Sequence, residues 1–134
     1  MIIAILTFGV VVVAVAAATP AVAQARTEPL LCAMTTILEC DAKNACTRRT
    51  AESADLPTIV VVDASNRIVT GLGSDRRRTR ITSAMQVDGK LIVQGGEAGR
   101  GWSATIAERT GAMAVAVVDD EVTFSIFGSC VVSP

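Results

Sequence analysis

A chain of 134 residues has room for one domain. Its 12 basic and 13 acidic side chains almost cancel, which excludes strong electrostatic steering toward nucleic acid. The lack of histidine and tyrosine removes two of the usual general acids and bases, and one tryptophan with three phenylalanines is too few for the stacking platforms that read sugars or bases.

The chain opens on "IIAILTFGVVVVAVAAA", an apolar run without a charge, followed by Pro20 and two small-residue sites, Ala21-Val22-Ala23 and Ala23-Gln24-Ala25. That pattern marks a secretory signal peptide. It predicts a leader over residues 1–25, cleaved after Ala25, and a mature domain over 26–134. No Lys or Arg precedes the run, and the rival reading is an uncleaved anchor, for which the run is slightly short of the roughly 20 residues a spanning helix needs. A lipid-modified Cys32 is rejected because Arg26 and Glu28 separate it from the run and Leu31 precedes it. The expected location is therefore periplasmic or secreted, with the membrane met only transiently through the leader.

Four cysteines follow: Cys32, Cys40, Cys46 and Cys130. In an oxidising space they pair, and four cysteines allow about three pairings. Cys40 and Cys46 flank "DAKNA", a polar loop across which they can face each other, which leaves Cys32 to join Cys130. Zinc is the competing reading; without histidine and without paired short spacings it is weak, and no metal or cofactor is expected.

Between the cysteines, Val-, Ile- and Thr-rich segments alternate with turn signals, the signature of strands joined by hairpins. "LLCAMTTILEC" and "CTRRTAE" surround the cysteine loop. "TRRTAESADLP" permits one helical turn before Pro57. "LPTIVVVD" and "RIVTGL" surround Ala64-Ser65-Asn66, and "ITSAMQV" and "KLIVQGG" surround Asp88-Gly89, the strongest two-residue hairpin signal in the chain. "WSATIAE", "AMAVAVV" and "VTFSIFGSCVV" complete the set, joined through Arg109-Thr110-Gly111 and Asp119-Asp120-Glu121. Eight strands and a weak ninth near 46–51 predict an all-β antiparallel meander in a single domain, closed or nearly closed as a barrel, since closure removes the edges. An open curled sheet and a small sandwich are the alternatives. Alternation aligns Ile81 with Met85 and Val87, Leu91 with Val93, Trp102 with Ala104 and Ile106, and Phe124 with Ile126 and Cys130.

"GGEAGRGWS", residues 95–103, has the glycine and serine spacing of a phosphate-binding loop but carries Trp102 where the lysine must stand. The segment after it alternates like a strand instead of opening a helix. It reads as a loop in which glycines permit positive φ and Glu97 and Arg100 stay solvated.

"DRRRTR" gives the one strong charge cluster. Arg76, Arg77, Arg78 and Arg80 read as a solvated loop leading into a guarded edge strand, with an anionic surface such as lipid phosphate or polysaccharide as the functional alternative. Asp119, Asp120 and Glu121 are explained by a turn, and consecutive acids do not supply the alternating ligands of a calcium loop. Lys43 and Lys90 sit in predicted turns, so a serine–lysine dyad has no platform, and the cysteines are spent in disulfides. No catalytic residue is assigned, and an enzyme is not expected.

A barrel can hold a small apolar ligand in its mouth, as lipocalins do. Trp102, Met85 and Phe124 are the candidate ligand-binding residues, with Met34 and Met113 as further pocket lining or simple core filling. The stretches "LLCAMTTILECDAKNACTRRTAESADLP", "QGGEAGRGWSATIAE" and "IFGSC" resemble a group of small exported proteobacterial proteins whose function is not established. The resemblance covers most of the mature chain. It implies a periplasmic protein and carries over no ligand and no catalytic residue. The expected role is non-enzymatic: binding or interaction in the cell envelope, with an envelope protein or a small apolar molecule as partner.

Overall fold

The computed structural model describes residues 28–43, 45–73 and 76–134. The expected leader, 1–25, lies outside the described residues, as does Asp75 of the arginine cluster. Nine strands carry the fold: β1 (Leu30–Asp41), β2 (Cys46–Arg49), β3 (Ile59–Asp63), β4 (Ile68–Gly71), β5 (Arg78–Val87), β6 (Lys90–Glu97), β7 (Arg100–Ala107), β8 (Ala112–Val118) and β9 (Val122–Val132). The described residues contain no helix; residues 50–56 make one turn, with Ala54 N donating to Thr50 O and Leu56 N to Ala51 O.

All pairings are antiparallel. Strands β1, β3, β4, β5, β6, β7, β8 and β9 follow one another around a closed barrel, and β9 returns to β1. This is the predicted meander, closed. β1 serves three partners because it is long. Along one side it pairs β9 from Leu30–Val132 to Asp41–Val122. Along the other it pairs β3 through Leu30–Ala33 and then β2 through Ile37–Cys40. β2 is thus the ninth strand, extending the wall where β3 ends, and its outer edge is short and carries Arg48 and Arg49, which protects it against further pairing.

The turns obey local chemistry. Asp88-Gly89 has φ of 50° and 70°, and Ala98-Gly99 has φ of 50° and 81°; both are two-residue turns whose left-handed residues match the strand twist. The second lies inside "GGEAGRGWS", so that stretch is not a loop. Glu97 and Arg100 pair across the turn, and Gly95, Gly96 and Gly101 lie within strands.

Two bulges decide which side chains face inward. β1 has an extra residue at Thr35, between the Met34–Gly128 and Thr36–Phe127 pairs. β5 has one at Thr82, between Ile81–Gly95 and Ser83–Gln94. In each the threonine hydroxyl donates to the facing carbonyl, Phe127 O and Gln94 O, both at 3.1 Å, which occupies an acceptor at the ladder irregularity. The β5 bulge overturns the expected alignment of Ile81 with Met85 and Val87. Ile81 is buried, but beyond Thr82 the alternation reverses and Met85 (51% exposed) and Val87 lie on the outer wall. The other aligned sets keep their faces: Leu91 with Val93, Ala104 with Ile106, and Phe124 with Ile126 and Cys130 are buried.

Both disulfides join cross-strand neighbours. Cys32–Cys130 is buried inside the barrel between β1 and β9, and Cys40–Cys46 ties β2 to β1. Around the first lies the larger core, with Leu30, Ile81, Leu91 and Ile106 closing one end. A smaller cluster at the other end gathers Ile37, Val117, Phe124 and Ile126 under Ala54 and Leu56 of the β2–β3 connection. Met34, Trp102 and Val115 pack against both.

Candidate functional site: the barrel cavity and its mouth

Between the two core clusters the barrel encloses a cavity of about 370 Å³. Its wall is built from inward positions that carry small or medium side chains: Val60 and Val62 of β3, Val69 and Gly71 of β4, Val93 of β6, Ala104 of β7, and Val115 and Val117 of β8. Met34, Met113 and Ile126 complete the apolar surface. No polar or charged residue is buried among the described residues, so the interior offers a ligand almost no hydrogen-bonding partner. The cavity opens at the end where the β2–β3 connection, the β4–β5 connection, the Ala98-Gly99 turn and the β8–β9 turn meet.

Trp102 forms part of the wall and is held in place from two directions. Its Nε1 donates to Thr79 Oγ1 at 3.2 Å. Its ring lies across Gly95, its cross-strand partner on β6. A Cβ at residue 95 would overlap the Arg80 carbonyl oxygen and come within 2.5 Å of the indole Cζ2. Gly95 is therefore a seat for the indole, not a hinge.

The mouth is ionic. Arg77 Nη2 lies 2.9 Å from Asp55 Oδ1, and Nη1 lies 3.3 Å from both Oδ2 and the Asp55 carbonyl oxygen. Arg100 Nε donates to Asp119 Oδ2 at 2.7 Å, and its guanidinium carbon stands 5.7 Å from the centre of the Phe124 ring. The Arg77 hydrogen bonds, helped by the charges of Arg77 and Arg100, hold the Asp55 carboxyl below the usual carboxylate range. Asp119 is held down in the same way, first by Arg100 and then by the Asp120 backbone N–H. Glu97 lies on the same rim.

Of the three candidate ligand-binding residues, only Trp102 lines the cavity. Met85 faces solvent because of the β5 bulge, and Phe124 is buried below the rim, where it supports Arg100. Met34 and Met113 do line the cavity. The arginine cluster is divided: Arg77 turns to the mouth, while Arg76, Arg78 and Arg80 are exposed. It guards no edge, since β5 is paired on both sides by β4 and β6. Glu97 and Arg100 are strand residues, not loop residues, and both line the mouth; Arg100 is drawn to Asp119, while Glu97 stays half-exposed. Counting back by twos from Ile106 and forward from Val93 would have placed them there. Among the described residues no cluster of acidic or cysteine side chains is arranged to hold a metal ion.

The fold and site define an eight-stranded antiparallel barrel with an end-open apolar cavity. No protein-family model, no curated protein and no solved structure matches the chain.

Proposed function

We propose that the protein is a non-enzymatic binding protein that holds a small, mainly apolar molecule inside the barrel, and that it does so in the periplasm or outside the cell. The observation that carries this reading is the cavity itself: about 370 Å³ of apolar-walled space open at one end of the barrel, larger than the recess of about 260 Å³ beside Leu30, Leu91 and Ile106 at the other. Ligand pockets of roughly 300–1,000 Å³ are usual, with apolar walls and a few polar groups at the entrance. The two disulfides fit an oxidising compartment. Binding through the arginine cluster to an anionic surface is the weaker reading, because Arg77 is engaged by Asp55.

The test uses Trp102 as its own reporter, since it is the chain's single tryptophan. Titration with the neutral dye N-phenyl-1-naphthylamine is expected to give saturable, equimolar binding with transfer of Trp102 emission to the dye. Ala104→Phe, which fills the cavity from β7, is expected to abolish it. Absence of saturable binding, or binding undiminished in Ala104→Phe, overturns the proposal.

A further inference from the structure

The charges at the mouth do not balance. Asp55, Glu97 and Asp119 face Arg77 and Arg100. Each arginine is already engaged by a carboxylate on a different element: Arg77 by Asp55 of the β2–β3 connection and Arg100 by Asp119 beyond β8. Arg100 is further fixed over the Phe124 ring. Glu97 is left over. It follows Leu91, Val93 and Gly95 on the inward side of β6, and among the described residues no side chain pairs with its carboxylate. The β8–β9 turn adds Asp120 and Glu121 next to Asp119, which deepens the negative potential on that side of the rim, while Arg76 and Arg78 flank Arg77 on the β4–β5 side.

Arg100 engages Asp119 through Nε alone, so an anionic head group could reach its Nη donors, but it would bring a further negative charge beside Asp55, Glu97 and Asp119. A neutral hydroxyl head could donate one hydrogen bond to Glu97 but brings no charge to offset that of the carboxylate. A cation would gain a charge-assisted hydrogen bond without breaking any contact now present. We infer that the ligand class is amphipathic and cationic: an apolar body that fills the barrel and a single ammonium or amine head held at the rim by Glu97. This rests on the cavity-binding proposal and adds the head group to it.

Three probes with one alkyl chain separate the two ideas: octylamine, octanol and octanoate, each competed against N-phenyl-1-naphthylamine at neutral pH and low salt. Octylamine is expected to bind about fivefold tighter than octanol, the gain of a partly exposed ion pair, with octanoate weakest. Glu97→Gln, which removes no side-chain contact within the protein, is expected to bring octylamine close to the octanol value and to change octanol much less. Raising the salt concentration should erode the octylamine advantage alone. Equal binding of octylamine and octanol, an advantage that survives Glu97→Gln, or tightest binding of octanoate overturns the head-group inference and leaves cavity binding standing. Failure of all three to displace the dye overturns both.

Discussion

The Cys32–Cys130 bridge offers a quantitative test of how the barrel is held closed. It joins residues 98 apart in sequence, whereas Cys40–Cys46 joins residues 6 apart. In the chain-entropy account, closing the long loop restricts the unfolded chain by about 4.7 kcal/mol at 25 °C and closing the short one by about 2.4 kcal/mol. The folded state changes little in comparison. The β1–β9 ladder runs from Leu30–Val132 to Asp41–Val122, long enough that its backbone pairing is expected to persist without the sulfur link. Alanine at both positions also removes the contact of Cys130 Sγ with Met113 Sδ, 3.7 Å, which adds to the loss. Cys32→Ala/Cys130→Ala is therefore expected to lose about 4–5 kcal/mol, and Cys40→Ala/Cys46→Ala about 2 kcal/mol. Equilibrium urea unfolding followed by Trp102 fluorescence and far-UV circular dichroism measures both. The first variant should also show the larger rise in m-value, because its unfolded chain expands more. Equal losses, or a larger loss from the short bridge, would refute the entropic account and place the stabilisation in the folded state.

Gly95→Ala is expected to cost about 1–3 kcal/mol, the usual range for forced overpacking, and to shift Trp102 emission as the indole leaves its seat; an unchanged spectrum would mean that the ring does not rest on Gly95. Ala104→Leu places methylenes in empty space and is expected to raise stability by about 1 kcal/mol, read as a higher urea midpoint. Acid sensitivity follows from Asp55, Asp63 and Asp119, all held below the ordinary carboxylate range, Asp63 chiefly by the side-chain and backbone N–H groups of Asn66. Because the folded protein depresses these values, their contribution is complete above the unfolded value of about 4 and is lost as pH falls through the folded values. A thermal midpoint that is level from neutrality to about pH 5 and declines below about pH 4 is expected, with a shallower decline in Asp119→Asn.

What could be read in advance was local or covalent. Asp88-Gly89 dictates a turn because few residues tolerate its backbone angles. Phe124, Ile126 and Cys130 share a face because a strand repeats every two residues. The cysteines at the two ends of the domain pointed to closure, since they could pair only if the first and last strands were neighbours. What escaped was relational. The bulges at Thr35 and Thr82 have no compositional mark; each exists only because the facing strand spends one residue where this one spends two. One such residue sent Met85 out of the barrel. The glycines of 95–103 were misread for a similar reason. Glycine is associated with turns, but Gly95 answers to an indole on the next strand.

The cavity was the least legible feature, yet its cause is simple. An eight-stranded barrel is about wide enough for its side chains to fill it. At the far end Leu30, Ile81, Leu91, Ile106 and the Cys32–Cys130 sulfurs fill most of it, leaving a recess of about 260 Å³ that Thr110, Gly111 and Val132 also line. Nearer the mouth the same width is lined by Val60, Val62, Val69, Gly71, Val93 and Ala104. These side chains are too short to meet across it, and Trp102, Met34 and Met113 are the larger apolar side chains that share the wall with them. Larger residues at those positions would bury more apolar surface, so the stability of the barrel alone does not account for the small ones. Small inward side chains placed between two bulkier sets, Leu30, Ile81, Leu91 and Ile106 on one side and Ile37, Phe124 and Leu56 on the other, create a pocket without any change in strand number or register. This arrangement also leaves few polar groups along the cavity besides Thr79 and the rim charges, so in the proposed binding role discrimination between ligands of equal apolar size would fall to Glu97 and the two arginine pairs beside it.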